Sequence, residues 1–318
     1  MPPRWQRLRR GRNRKRSVMA VPRPVADVIA RLAQKGPGGS RRPSEVSFAE
    51  IPASTEDIRI PTRHGSLPAT VYSPPQGMEG RGVYVNLHGG GFILRHPEQD
   101  DPLCRYLAAE AEVTVINVDY IPAPQCRFPG PVEQAYDVAL WAAEKKRPWD
   151  GTRCAIGGQS AGGALAAGAA RLALEHGGPE LALQMLMYPP LDLSIPAAQK
   201  LREGKETFLA RMGPIFDVVY CPDATDRRSR LASPAGDHDT APLDGIAPAL
   251  IITCGRDILR DEGIRYAERL ERAGSLRGHV DLPEVGHGFN LIGATRQTVL
   301  PVYEGIAEEV GQQLNTGP

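Results

Sequence analysis

Five short, almost continuous apolar runs are the feature that most constrains the fold of this chain. They lie at residues 82–87, 113–118, 154–157, 182–187 and 249–253. Runs of this kind are typical of parallel strands covered by helices on both faces. Apolar residues at helical spacing fill the stretches between them, at 101–111, 131–145, 161–175 and 260–273. This alternation predicts an α/β fold with a doubly wound, mostly parallel sheet.

Three stretches depart from the alternation. Residues 58–72 alternate between apolar and polar around a turn at 64–65, which predicts a β-hairpin. Residues 190–242 contain no clear strand–helix unit, which favours either an insertion that covers a site or a peripheral extension. Residues 25–33 predict a helix that we expect to pack on this insertion through one apolar face, formed by Val25, Val28, Ile29 and Leu32.

The net charge of +1 conceals an uneven distribution. The first 16 residues carry eight of the 38 cations and no acid, so the rest of the chain holds 30 cations against 37 acids. No apolar segment follows the basic start, which disfavours an export signal. An arm that binds nucleic acid or an anionic membrane stays open, but we favour a disordered basic tail over residues 1–19. Residues 1–18 need not be translated, because Met19 offers a second start.

The remaining composition excludes several classes of protein. No apolar run reaches about 18 residues, so no membrane partner is expected. The mildly acidic body offers no basic surface for nucleic acid. No Cys-x-x-Cys or His-Glu-x-x-His pattern occurs, so no metal is predicted, and reduced, mostly buried thiols in a cytoplasmic protein are expected. The five scattered cysteines are Cys104, Cys126, Cys154, Cys221 and Cys254.

Residues 158–162 read Gly-Gln-Ser-Ala-Gly and match the pattern G-x-S-x-G. The pattern alone is weak, but an apolar strand runs into it and a helix rich in small residues follows it. A nucleophile elbow needs this strand–turn–helix context, because the sharp turn exposes the serine hydroxyl above the sheet. The alternative is a Gly-rich turn whose serine only caps the helix. A phosphate loop is disfavoured, since the Gly-Lys-Ser/Thr ending is missing.

Residues 88–92 read His-Gly-Gly-Gly-Phe and follow the apolar run at 82–87. Acyl transfer requires N–H groups that stabilise the oxyanion formed on the attacked carbonyl. The N–H groups of Gly90 and Gly91, together with that of Ala161, are the predicted donors, and Gly89 is an alternative to one of them. We predict that His88 orders this loop and does not act as the base.

An acid and a base for the serine follow later in the chain. Asp257 follows the run at 249–253 after three residues, where a carboxylate reaches the edge of the sheet at which ligands bind. Asp261 and Glu262 are its rivals, but they are better explained as charges in the first turn of the next helix. His287 lies between two glycines in a loop. The order Ser160, Asp257, His287 is the order expected of α/β-hydrolases.

Together these motifs resemble the bacterial hormone-sensitive lipase family of esterases. The resemblance rests on HGGGF at 88–92, GQSAGG at 158–163, GRDILRDEG at 255–263 and VGHGF at 285–289. It implies an α/β-hydrolase fold with an eight-stranded sheet, a Ser-His-Asp triad, no cofactor, and a mainly helical cap. By the resemblance, the cap comprises residues 20–55 and 190–235, and the core comprises 56–189 and 236–318.

Two positions depart from the family pattern. Gln159 stands where the family favours aspartate, and residues 119–125 read DYIPAPQ where the family has DYRLAPE. Both departures remove charge near the predicted site.

The motifs predict a serine carboxylesterase that acts on small, short-chain acyl esters through an acyl-enzyme. An N-acyl or acetyl amidohydrolase would use the same triad and is the alternative enzyme. A non-catalytic ligand receptor on this fold is the alternative from another class. An interfacial lipase is disfavoured, because no strongly apolar amphipathic lid is evident in residues 190–235. The expected partner is a small-molecule ester, and a homodimer stays open.

Overall fold

A computed structural model of the protein describes residues 21–36, 44–200 and 208–315. The basic tail predicted for residues 1–19 lies outside these ranges. The strands within them form one eight-stranded sheet in the order β1-β2-β4-β3-β5-β6-β7-β8. They are β1 (Ser54–Thr62), β2 (Gly65–Ser73), β3 (Val83–Leu87), β4 (Thr114–Val118), β5 (Cys154–Gln159), β6 (Leu181–Met187), β7 (Ala249–Cys254) and β8 (Leu276–Leu282).

The sheet agrees with the pattern of the sequence. Strands β1 and β2 form the predicted hairpin, and β2 pairs antiparallel with β4. All other neighbouring strands are parallel. Every residue of β3, β4, β5 and β7 is buried, which explains why these segments are mostly apolar. The predicted α/β fold is therefore confirmed.

Helices cover both faces of the sheet. Those in the described ranges are α1 (Arg23–Ala33), α2 (Asp101–Glu110), α3 (Gly130–Ala142), α4 (Ala161–His176), α5 (Phe208–Tyr220), α6 (Arg260–Arg272) and α7 (Arg296–Asn315). Apolar residues of α3, α4 and α6 belong to one core cluster, and those of α2 and α7 belong to the other. None of these helices combines the length and apolarity needed to cross a bilayer.

The positions of two of these helices were not identified from the sequence. Helix α7 buries Val299, Tyr303, Ile306 and Val310, which follow one another at helical spacing and were a readable signal. Helix α5 lies in the inserted stretch, and its composition is largely apolar. The sequence pattern did not locate this helix, but a helix in residues 190–235 agrees with the mainly helical cap that the resemblance implies.

Helix α1 lies where the sequence predicts a helix, but it is turned the other way. Ala26 and Ala30 are its buried residues, and the helix packs against α5. By contrast, Val25 is 51% exposed, Val28 56% and Leu32 63%. The prediction that this apolar face packs on the insertion is wrong. Small alanines allow a close helix–helix approach, which places the larger apolar side chains on the solvent side.

A buried ion pair ties the insertion to the core. The Lys200 Nζ lies 2.7 Å from a carboxylate oxygen of Glu262 on α6, and both side chains are almost completely buried. The other oxygen of Glu262 accepts a hydrogen bond from the backbone N–H of Leu191 at 2.8 Å. Burial raises the pKa of Glu262, while the Lys200 ammonium lowers it. Glu262 therefore holds the start of the insertion in place.

Candidate active site

Ser160 lies in a sharp turn between β5 and α4. Its φ of +52° is in the left-handed region, which a non-glycine residue adopts only when its surroundings impose it. Its backbone N–H donates to the carbonyl of Met187 on the neighbouring strand at 2.8 Å, which fixes the turn on the sheet. A Cβ atom at Gly162 would collide with the carbonyl oxygen of Leu87, so glycine is required there.

The hydroxyl of Ser160 does not cap helix α4. No side-chain cap hydrogen bond is found at this position, although Ser160 is the residue that precedes the helix. The hydroxyl oxygen instead lies 2.9 Å from Nε2 of His287. The interpretation of Ser160 as only a helix cap is therefore wrong.

Asp257 and His287 complete a chain of hydrogen bonds with Ser160. The Nδ1 of His287 lies 2.6 Å from Oδ2 of Asp257, a buried carboxylate in the turn after β7. The other oxygen of Asp257 accepts from the backbone N–H of Leu259 at 3.1 Å. A carboxylate can only accept, so Nδ1 carries the proton and Nε2 is free to accept from the serine hydroxyl. The structure thus brings all three predicted residues together, while Glu262 bonds elsewhere.

The glycine loop after β3 lies beside the serine. Among the described residues, no acceptor is found for the N–H groups of Gly89, Gly90, Gly91 and Ala161, so these groups are available to a ligand. Gly91 has a φ of +61°, and a Cβ there would overlap the ring of Phe216 on α5. A side chain at this position would therefore displace Phe216 from the glycine loop. All four candidate donors line or adjoin the same cleft.

His88 is held away from the proton-transfer chain. Its Nδ1 donates to the carbonyl of Gly89 at 2.7 Å, and its ring stacks on Tyr120 with centroids 4.4 Å apart. Burial lowers the pKa of His88 to about 4, so the ring is neutral near pH 7. Gln99 donates to the same Gly89 carbonyl at 3.0 Å. These contacts fix the Gly89–Gly90 peptide and agree with a loop-ordering part for His88.

A buried polar network beneath the serine was not predicted. The Gln159 side-chain amide donates to Asp100, and its oxygen accepts from Tyr188 and, at 2.8 Å, from Asn290. A second oxygen of Asp100 accepts from Asn86 at 2.9 Å. The expectation that Gln159 removes charge from this region is therefore incomplete, because Asp100 supplies a buried carboxylate next to it. No sequence motif marks Asp100.

An apolar cleft of about 610 Å³ opens above Ser160. This volume is within the range of small-molecule binding sites. Helix α5 contributes Met212 and Phe216 to its wall, and the opposite side includes Leu291 and Ile292. The Phe92 ring of the glycine loop stacks on Tyr220 of α5 at 3.9 Å. The insertion is thus packed directly on the loop that carries the candidate oxyanion donors.

Comparisons with known proteins agree with this geometry. A family model, Abhydrolase_3, described as an alpha/beta hydrolase fold, matches residues 84–291. The chain is 36% identical over 252 residues to the carboxylic ester hydrolase LipN of Mycobacterium tuberculosis, covering 76% of this chain and 65% of LipN. It is 34% identical to an ethyl acetate hydrolase of Pseudomonas putida, covering 77% and 79% of the two chains. The solved structure of an esterase from Pyrobaculum calidifontis superimposes with a TM-score of 0.77 at 33% identity, covering 90% of this chain and 92% of the esterase.

Proposed function

The chain belongs to the α/β-hydrolase-fold family of hormone-sensitive-lipase-like esterases and is a carboxylic ester hydrolase of this type, and we propose that it uses Ser160, His287 and Asp257 as a catalytic triad on short-chain acyl esters. The observation that carries this proposal is the continuous hydrogen-bonded chain from the Ser160 hydroxyl through His287 to Asp257, at the base of an apolar cleft.

The first half-reaction forms an acyl-enzyme. Nε2 of His287 accepts the hydroxyl proton of Ser160 while Oγ bonds to the ester carbonyl carbon. The carbonyl oxygen becomes an oxyanion, which the N–H groups of Gly90, Gly91 and Ala161 stabilise, with Gly89 as the alternative donor. The tetrahedral intermediate then collapses, the bond from carbon to the alkoxy oxygen breaks, and protonated His287 gives its proton to the leaving alcohol.

The second half-reaction hydrolyses the acyl-enzyme. His287 takes a proton from water, the resulting oxygen nucleophile attacks the acyl carbon, and the same N–H groups receive the second oxyanion. Collapse returns the proton to Ser160 and releases the carboxylic acid. Throughout the cycle Asp257 holds the Nδ1–H tautomer and stabilises the positive charge on the His287 ring.

The composition of the cleft supports a small, uncharged ester. Apolar side chains such as Leu94, Met212 and Leu291 form much of its wall, and the ring of Phe216 lies against Gly91. The relative from Pseudomonas putida is named for ethyl acetate, a short-chain ester. We also propose that residues 20–55 and 190–235 form a cap, because Ala33 of the first stretch and Met212 of the second both line the cleft.

Hydrolysis of p-nitrophenyl esters from acetate to dodecanoate tests this proposal. We expect turnover to be highest with the shortest chains and to fall by about 10⁴-fold or more in Ser160→Ala. Ser66→Ala, which changes an exposed serine on β2, is the matched control and should keep full activity. A fluorophosphonate probe should label the wild type and Ser66→Ala but not Ser160→Ala. Labelling of Ser160→Ala, or no hydrolysis by the wild type, would contradict the proposal and favour a receptor.

A further inference from the structure

Helix α1 is strongly amphipathic, and its apolar side faces solvent. Val25, Val28 and Leu32 follow one another at spacings of three and four residues, which places them on the same face, and each is more than half exposed. Most amphipathic surface helices instead turn their apolar face towards the protein core. An exposed apolar stripe of this kind, which we call the α1 stripe, is unusual unless another surface covers it.

Cations adjoin the α1 stripe on one side. Arg31 and Lys35 line a cavity of about 360 Å³ between α1 and the loop that includes Pro122. Neither of them forms an ion pair with any residue that the structure describes. Arg95, which lines the same cavity, is bound by Asp119 at 2.6 Å. Two uncompensated positive charges therefore border the α1 stripe.

The entrance of the catalytic cleft adjoins the stripe at the end of α1. Ala33, the residue after Leu32, lines that cleft together with Ile292, which is 63% exposed. The cleft above Ser160 thus reaches the end of α1 at which Leu32 is exposed. A surface that covered the stripe would lie next to the opening above Ser160.

We propose that the α1 stripe docks on an anionic lipid bilayer. Shallow insertion of an amphipathic helix combines burial of its apolar face with attraction between cations and anionic headgroups. The structure supplies the apolar face and the cations of Arg31 and Lys35. The sequence supplies eight more cations in residues 1–16, just before the helix. The two contributions together meet the usual need for more than one membrane-binding signal.

A second copy of the chain fits this surface less well. A symmetric contact through the α1 stripe would bring Arg31 and Lys35 of both copies together. Like charges at such a contact oppose association. The proposal departs from the expectation that the chain has no membrane partner. That expectation rested on the absence of long apolar runs, which does not bear on a helix that lies on a bilayer surface.

Cosedimentation with vesicles tests the proposal without depending on ester hydrolysis. The full chain is mixed with phosphatidylcholine vesicles, with and without phosphatidylglycerol. We expect binding only to the anionic vesicles, and a sharp loss when ionic strength rises from about 0.05 to about 0.5 M. The variant Val25→Ser/Val28→Ser/Leu32→Ser should bind about tenfold more weakly or worse. Leu140→Ser/Val280→Ser, which changes two exposed apolar residues elsewhere, is the matched control and should bind like the wild type.

Further variants distinguish docking on a bilayer from binding of a free phosphate and from self-association. Arg31→Gln/Lys35→Gln, and deletion of residues 1–18, should each weaken binding to the anionic vesicles and leave turnover of a soluble ester unchanged. Inorganic phosphate should not displace the protein from vesicles, since a headgroup alone lacks the apolar contact. Equal binding by the stripe variant and the control would overturn the proposal. So would failure of the wild type to bind, or a dimer of the wild type that the stripe variant converts to a monomer.

Discussion

Breaking the ion pair between Lys200 and Glu262 is expected to destabilise the protein strongly. In Lys200→Met the Glu262 carboxylate stays buried on α6 and retains the hydrogen bond from the N–H of Leu191, but it loses its countercharge. Removal of one member of a buried ion pair typically costs about 3–5 kcal/mol. Urea unfolding, followed by circular dichroism, should therefore show a loss of about this size in the free energy of unfolding.

The double variant distinguishes a lost ion pair from lost packing. Glu262→Gln alone leaves the Lys200 ammonium without its carboxylate, whereas Lys200→Met/Glu262→Gln contains neither charge. We expect the double variant to be more stable than either single variant, because a neutral pair of similar volume avoids the burial of an unpaired charge. Lys146→Met, on an exposed lysine, is the matched control and should change the free energy of unfolding by less than about 0.5 kcal/mol.

The loss in Lys200→Met should depend on pH. The pKa of Glu262 is raised by burial above its usual value of 4.5, and Lys200 opposes this rise. The variant lacks that opposing charge, so the pKa rises further. A carboxyl with a raised folded-state pKa favours folding below its unfolded pKa, and this contribution is lost as the pH rises through the folded pKa. The free energy of unfolding of the variant should thus be closest to that of the wild type near pH 4.5 and should be clearly lower by about pH 8. A pH-independent loss, or stability equal to that of Lys146→Met, would refute the reasoning.

The sequence was informative where chemistry follows directly from the end of a buried strand. Ser160 and Asp257 each lie in a turn after an apolar run, and His287 lies in the loop after the half-exposed strand β8; parallel strands place these loops at one edge of the sheet. Pattern and chain order were therefore enough to bring three distant residues to one site. Glu262 was correctly rejected as the partner of His287, but its buried ion pair with Lys200 could not be predicted from the sequence.

Other features depend on contacts that no local pattern encodes. Gln159 bonds to Asp100 across 59 residues and to Asn290 across 131 residues, so its surroundings only emerge once the sheet has formed. The orientation of α1 is a similar case. Its periodicity identifies an apolar face, but periodicity alone does not say whether that face meets the core or solvent. The packing of Ala26 and Ala30 against the neighbouring elements settles it.

Three further changes test the site and its support. His287→Ala should lower kcat/KM for p-nitrophenyl acetate at least about 100-fold. The double variant with Ser160→Ala should match the single variants, because the members of a triad act as a unit. Retention of more than about a tenth of the activity in His287→Ala would require another base. His88→Asn should reduce the loss of thermal stability on acidification. Burial lowers the pKa of His88 to about 4 from 6.5, so the stability that the neutral ring contributes to the wild type is lost as the pH falls from 6.5 towards 4. An equal loss of stability in both proteins would contradict a buried neutral ring. Gln159→Glu should destabilise the protein by more than about 2 kcal/mol at neutral pH, because it places a second carboxyl against buried Asp100 and removes the amide donor that Asp100 accepts from. Gln159→Met removes the same donor without adding charge. We therefore expect it to lower the free energy of unfolding less than Gln159→Glu does. The difference between the two variants should shrink as acid protonates the new carboxyl. Equal urea midpoints for the two variants would show that Asp100 is not the charge that Gln159 accommodates.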